Sequence, residues 1–155
     1  MKIGYGQDSH RFETQKGTKA CIIGGIEFLD VPGLDADSDG DIVYHALCNA
    51  ITSITHVHIM GDLAIKMCKS GITDSKEYLL EAKKALTREE ISHIAIAITG
   101  KQPRLQSALL KMRENIAEIL ELNIDQVGIT CTSSNNLDDC GLGLGLSCTC
   151  LLTIS

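Results

Sequence analysis

Asp8 and His10 stand two residues apart in the segment Gly4-Tyr-Gly-Gln-Asp-Ser-His-Arg-Phe12. If residues 2–10 run extended, alternate side chains share a face, so Asp8 and His10 point the same way as Gly4 and Gly6, while Tyr5 and Ser9 point the other way. The two backbones are then about 7 Å apart, close enough for a carboxylate and an imidazole to reach one ion. Asp with His is a ligand pair of zinc or manganese type. A third ligand must come from elsewhere, and His45 is the best candidate. Between Asp41 and Thr55 the residues Val43, Leu47, Ala50, Ile51 and Ile54 recur at helical spacing. His45 lies roughly 200° around that helix from Val43 and Leu47, off the apolar stripe and on the side of Asp41, Asn49 and Thr52. Periodicity leaves two readings of it open, a ligand or a solvated histidine on a polar helix face. His56, His58 and His93 have no partner at ligand spacing and read as structural. Three protein ligands leave one position of a tetrahedral ion open, as in catalytic rather than structural sites.

Other groups describe what can occupy that position. Ser38-Asp-Gly-Asp41 stands at a helix amino terminus, where free amides can receive a phosphate oxygen. Thr130-Cys-Thr-Ser-Ser-Asn-Asn136 follows a strand with a run of hydroxyls and amides. Capping and turn chemistry explain each of these alone. Together with the Asp-x-His pair they suggest a phosphorylated substrate, and from spacing alone a zinc-dependent phosphohydrolase with an activated water fits as well.

These residues need elements to carry them. At 155 residues the chain reads as one compact domain, 1–155, with no repeat, linker or low-complexity tract. Its 14 basic and 20 acidic residues give a formal charge of -6, which argues against a nucleic-acid partner. No apolar run reaches the roughly 18 residues of a membrane span, and the amino terminus lacks signal-peptide order. The seven cysteines have no zinc-ribbon or disulfide spacing and suit a reducing cytoplasm. Cys148 and Cys150 read as small buried thiols on one strand face rather than as ligands.

Strands are predicted at 2–8, 20–28, 93–99, 126–133 and 144–154, the second carrying a Gly24-Gly25 break that reads as a bulge or a close backbone approach. Helices are predicted at 41–55, with Ser38-x-x-Asp41 as its capping box, at 74–86, and at about 106–122. The order implies an α+β fold, a two-layer sandwich of a mixed four- to five-stranded sheet with helices on one face. His93-Ile-Ala-Ile-Ala-Ile-Thr99 is apolar on both faces, so the other face of the sheet needs cover, and a symmetric oligomer is its simplest source.

Gly6-Gln-Asp-Ser-His-Arg-Phe12, Gly24-Gly25, Ser38-Asp-Gly-Asp-Ile-Val-Tyr-His-Ala46, Thr73-Asp-Ser75, Pro103-Arg-Leu105, Met112-Arg113, Thr132-Ser-Ser134 and Gly141-x-Gly-x-Gly145 follow one another across the whole chain. In this order and spacing the sequence resembles the 2-C-methyl-D-erythritol 2,4-cyclodiphosphate synthases of the non-mevalonate isoprenoid pathway. The resemblance implies conversion of 4-diphosphocytidyl-2-C-methyl-D-erythritol 2-phosphate to the cyclic diphosphate with release of CMP. It also implies a homotrimer whose sheets face inward and whose active sites lie between subunits. Asp8, His10 and His45 would hold zinc. Thr132 and Ser133 would act on the diphosphate as catalytic groups, and Ser38 would contact the 2-phosphate. Gly100, Gln102, Pro103, Arg104, Leu105 and Gln106, with Cys131, would form the cytosine pocket. Asp62, with Leu63 and Ala64 beside it, would hold the ribose, and Ser134 and Asn135 would complete the diphosphate loop. A bacterial cytoplasm follows as the simpler location, with a mature plastid protein as the alternative.

The chain departs from the family at four places. Asp37 falls at a catalytic position where the family usually has a histidine. Asn135 replaces a glutamate that ligates a second divalent ion, magnesium or manganese; an amide oxygen is a weaker ligand for so hard a cation, so that ion is expected to be held mainly by substrate and water. The acidic-proline loop is missing between Lys66 and Thr73. Leu142 and Leu144 replace an arginine and a glutamate on the trimer axis, which makes the axis apolar and unsuited to a diphosphate. Asp37 and Asn135 together also fit a non-catalytic trimer that binds CDP-like nucleotides.

Overall fold

A computed structural model of the chain describes residues 1–15 and 17–155. Four strands form a mixed sheet: β1 (Lys2–Arg11), β4 (Ile91–Thr99), β5 (Val127–Thr132) and β6 (Gly145–Ile154), in the order β1-β6-β4-β5. β6 runs antiparallel to both β1 and β4, and β5 runs parallel to β4. Residues 20–28, expected as one strand with a bulge, form a separate hairpin of β2 (Cys21–Ile23) and β3 (Ile26–Phe28). Gly24 and Gly25 make its turn with φ of 59° and 76°, values glycine adopts without steric cost in a two-residue hairpin turn. The close approach expected there is present: a Cβ on Gly25 would lie 2.4 Å from the Tyr44 hydroxyl.

The helices are α1 (Ile42–Thr55), α2 (Asp62–Lys69), α3 (Ser75–Lys84) and α4 (Leu109–Leu120). α2 is not among the predicted helices; it is eight residues long, and its apolar stripe of Ala64, Met67 and Cys68 spans little more than one turn. α1 is capped by Asp41 rather than by a box begun at Ser38. The Asp41 carboxylate accepts from the amides of Val43 and Tyr44, and also from Gly24 and Gly25 of the hairpin turn. One buried side chain thus caps a helix and ties down a hairpin. Burial pushes its carboxyl up to about 6, against the hold of the Gly25, Gly24 and Tyr44 amides.

α1 lies on β1 and β6, α4 lies on β5, and α3 packs on α1 and α4. Val43, Leu47 and Ile51 meet Ile94, Ile98, Cys148, Cys150 and Leu152 in a core of buried aliphatic and thiol side chains. The opposite face of the sheet is open in the chain: Tyr5, Leu151 and Ala95 form one cross-strand row and are exposed. Among the described residues, none supplies the cover that the apolar β4 pattern demands.

The approach of α1 to β1 is backbone on backbone. A Cβ on Gly6 would lie 2.2 Å from Ala46 O and 2.3 Å from Ala50 N, and one on Gly4 would lie 2.4 Å from Ala50 O. The glycines that spoil β1 as an ordinary core strand are what lets α1 sit on it. Along the contact a polar stripe of α1 at four-residue spacing serves the strand. The Asn49 side-chain amide donates to Gln7 O (3.0 Å), and Ser53 Oγ accepts from the Tyr5 amide (2.9 Å). This satisfies polar backbone on the free edge of β1. Gly6→Ala is expected to cost about 3 kcal/mol or more, since the obstructing atoms are helix backbone that cannot turn aside; urea denaturation measures it, and a midpoint equal to the unchanged chain's would contradict this packing.

Candidate active site

The same stripe begins at His45, one turn before Asn49. His45 Nδ1 lies 3.0 Å from Asp8 Oδ2, and His10 Nε2 lies 2.9 Å from the same oxygen. The three ligand atoms are all within 4.8 Å of one another. His45 is only 3% exposed, so the reading of it as a solvated histidine on a polar helix face is overturned: it is off the apolar stripe, but buried against β1 and α3.

The hydrogen bonds around the two imidazoles fix where their free nitrogens point. His10 Nδ1 is 2.9 Å from Asp35 O, and a carbonyl only accepts, so that nitrogen carries the proton and Nε2 is a bare lone pair. Nε2 is also the single buried side-chain polar atom without a hydrogen-bond partner among the described residues; its approach to Asp8 is short but poorly directed. His45 Nε2 meets Ser75 Oγ at 2.8 Å and Ser38 Oγ at 3.3 Å, which leaves Nδ1 facing Asp8. A carboxylate oxygen with imidazole nitrogens converging on it is an arrangement that asks for a cation. The donor set of one carboxylate and two imidazoles suits zinc. Burial pushes the Asp8 carboxyl up, but the two imidazoles beside it, His10 and His45, outweigh that and bring it down to about 2. The Asp8 carboxylate in turn raises His10 above the ordinary imidazole value, against its partial desolvation.

A cavity of about 430 Å³ opens over the triad, with Asp35, Asp37 and Ser38 on one side and Met60, Ile65 and Tyr78 on the other. Ala64 lines it too, whereas Asp62 and Leu63 sit exposed on the first turn of α2. A second cleft of about 200 Å³ gathers Gly100, Pro103, Arg104, Leu105 and Gln106 against Cys131, Thr132 and Ser133. Gln102 turns from it and donates to Gly143 O (3.3 Å), and the Gln102–Pro103 peptide is cis. Ser134 donates to Asp138, and Asn135 accepts from Ser133 Oγ. Ser134, Asn135 and Asn136 all have positive φ, which turns the chain sharply after β5.

The free amides expected at the start of α1 are not free. Gly40 donates to Ser38 Oγ, Asp41 to Asp39 Oδ1, and Val43 and Tyr44 to Asp41 Oδ1. The anion position at that helix end is filled by the protein's own side chains. Two participants have roles the sequence does not show. Asp35 acts through its carbonyl, which every residue owns, and Ser75, though part of the quoted Thr73-Asp-Ser75 segment, reaches His45 across thirty positions of sequence.

The profile described as the YgbB family matches residues 1–155. A 2-C-methyl-D-erythritol 2,4-cyclodiphosphate synthase of Chlamydia trachomatis serovar A is 49% identical over 155 residues, covering 99% of this chain and 87% of that protein. Among solved structures, the bifunctional IspDF of Campylobacter jejuni is similar with a TM-score of 0.84 at 25% identity, covering 97% of this chain; the chain spans 41% of that longer protein. IspF of Plasmodium falciparum, solved as a CDP complex, is similar with a TM-score of 0.82 at 22% identity, covering 99% of this chain and 96% of that one, a likeness of fold.

Zinc affinity at the triad is expected to fall on acidification, because protons then compete for His10, whose raised pKa brings that competition in at a higher pH than for a free imidazole. Chelator competition from about pH 8 to about pH 5 measures it; an affinity that does not change across this range would contradict ligation by the two imidazoles.

Proposed function

The chain belongs to the YgbB family, and from that membership we propose that it is an enzyme catalysing the 2-C-methyl-D-erythritol 2,4-cyclodiphosphate synthase reaction for which its 49% identical relatives are named. The substrate is 4-diphosphocytidyl-2-C-methyl-D-erythritol 2-phosphate, and CMP is the leaving group, a phosphorus–oxygen lyase reaction. The observation that carries the proposal is the convergence of His10 Nε2 and His45 Nδ1 on one oxygen of Asp8, beneath a cavity with room for a phosphorylated sugar alcohol.

In this reaction an oxygen of the 2-phosphate attacks the β-phosphorus of the diphosphate. One P–O bond forms, the P–O bond to CMP breaks, and CMP carries away the electron pair. The attacking oxygen is already ionised near neutral pH, so no strong general base is needed, and the protein's work is alignment and charge neutralisation. Asp8, His10 and His45 would hold zinc, which when bound supplies positive charge beside the phosphate oxygens. Among the described residues the cavity over the triad is lined by Asp8, Asp35 and Asp37 and by no lysine or arginine, so without such a cation these walls would repel the substrate. Ser38 bounds this cavity and is the candidate contact for the 2-phosphate. Thr132 and Ser133 are candidate donors to the diphosphate, the Ser133 hydroxyl exchanging its bond to Asn135 for a phosphate oxygen. The Gly100–Gln106 cleft is the candidate cytosine pocket, and Asp62 the candidate ribose contact. Asn135 offers only an amide oxygen to a second divalent ion, magnesium or manganese, which substrate and water would mainly hold.

A homotrimer completes the proposal. The two half-sites lie at the same end of the sheet, as the row Ser9, Ser147, Thr99, Thr132 indicates, but on opposite edge strands. Three strand spacings separate those edges, about 14 Å. A head-to-tail ring sets the β5 edge of one chain beside the β1 edge of the next and buries the open sheet face around the axis, where Leu142 and Leu144 make an apolar lining. The whole chain, 1–155, acts as one catalytic domain, and a bacterial cytoplasm supplies its substrate.

The test is CMP release followed by phosphorus NMR of the product, with zinc and magnesium and again after chelation. Chelator-sensitive CMP with a cyclic diphosphate is expected. CMP-free incubation with folded, zinc-loaded protein would sink the proposal in favour of a nucleotide-binding role, and a linear phosphate ester would indicate hydrolysis.

A further inference from the structure

Ser75 and Asp39 belong to segments singled out in the sequence, Thr73-Asp-Ser75 and Ser38-Asp-Gly-Asp41, yet the reaction above gives neither a task. Ser75 is the first residue of α3 and fully buried. Its hydroxyl donates to Asp39 Oδ1, and its amide donates to Asp39 Oδ2 at 3.1 Å. The Asp39 amide donates in return to Thr73 O (2.9 Å), so the loop before α1 and the start of α3 are stitched together. On its other side Ser75 Oγ lies 2.8 Å from His45 Nε2.

The direction of this chain of hydrogen bonds is forced. An ionised carboxylate has no proton to give, so the single proton of the Ser75 hydroxyl goes to Asp39. Ser75 Oγ is then an acceptor toward His45, and Nε2 must carry the imidazole proton. Nδ1 is left as a lone pair directed at Asp8. The partner of one ring nitrogen decides which other nitrogen is free to ligate.

We propose that Asp39 and Ser75 are positioning residues that lock His45 in its Nε2–H tautomer and thereby set the affinity of the triad for its metal. The proposal rests on the reading of Asp8, His10 and His45 as a metal centre. It gives the first aspartate of Ser38-Asp-Gly-Asp41 a role distinct from that of Asp41, which is spent on capping α1 and the hairpin.

Two variants separate orientation from packing. Asp39→Asn keeps the shape but replaces the charged acceptor of the Ser75 hydroxyl by a neutral amide oxygen, which loosens the hold on the Ser75 proton, lets it turn to His45 Nε2 and moves the imidazole proton to Nδ1, where it blocks the metal. Ser75→Ala removes the acceptor and leaves Nε2–H with Ser38 Oγ at 3.3 Å. Zinc affinity by chelator competition is expected to fall about 10–100-fold in Asp39→Asn and by less in Ser75→Ala, with melting of the chelated proteins as the control for folding. Nitrogen NMR of the His45 ring in metal-free protein reads the relay without the metal: Nε2–H is expected in the unchanged chain. A proton on Nδ1 there, or unchanged zinc affinity in Asp39→Asn, overturns the proposal. A chain with the Nε2–H tautomer but no zinc affinity instead overturns the metal reading on which it rests.

Discussion

The backbone of β1 rests on the backbone of α1 with no side chain between them, and the site exists because of that contact. Ala46 O would be 2.2 Å from a Cβ at position 6, so any other residue there would lever the helix away from the strand. With the helix seated, His45, Asn49 and Ser53 fall against Asp8, Gln7 and Tyr5 in turn, the strand running opposite to the helix. The metal ligands are the end of a row of polar contacts that also satisfies the edge of the strand. Stability and function use the same surface, because helix periodicity puts a residue on it every fourth position.

Around that contact the protein concentrates negative charge. Asp8, Asp35, Asp37, Asp39 and Asp41 lie on β1 and on the loop that enters α1, and each that is buried or half-buried has a specific set of partners. Asp41 takes four backbone amides, Asp39 takes Ser75 and the Asp41 amide, and Asp8 takes the two histidines. Among the described residues no lysine or arginine lines the cavity above the triad. A phosphorylated ligand bound there needs positive charge brought from outside the chain, and this makes a divalent cation part of the binding chemistry rather than an accessory. Asp37, on the wall of the same cavity, adds to that need.

Much of this was legible in the sequence. The alternation from Ile3 to His10 put Asp8 and His10 on the glycine face, and the observed burial of Gly4 and Gly6 follows it. The 3.6-residue stripe of α1 gave its core face, and the two-residue alternation of β6 gave its buried Cys148 and Cys150. Features that depend on long-range partners were not legible. The hairpin at Gly24–Gly25 is held by Asp41, and His45 is buried by α3, neither of which local periodicity encodes. α2 fully buries one residue, and its stripe of Ala64, Met67 and Cys68 is too short to stand out. The cap of α1 moved from Ser38 to Asp41 because Asp41 serves two elements at once, while Ser38 turns to His45 and Gly40.

The central claim is that Asp8, His10 and His45 form one metal centre across the β1–α1 contact. X-ray absorption at the zinc edge of the loaded protein tests it most directly, read alongside single substitutions of the three residues. The account predicts two imidazole nitrogens and one or more oxygens at about 2.0–2.2 Å, with one imidazole lost in each histidine variant. A zinc environment containing sulfur, or one unchanged by substituting His10 and His45, would contradict it.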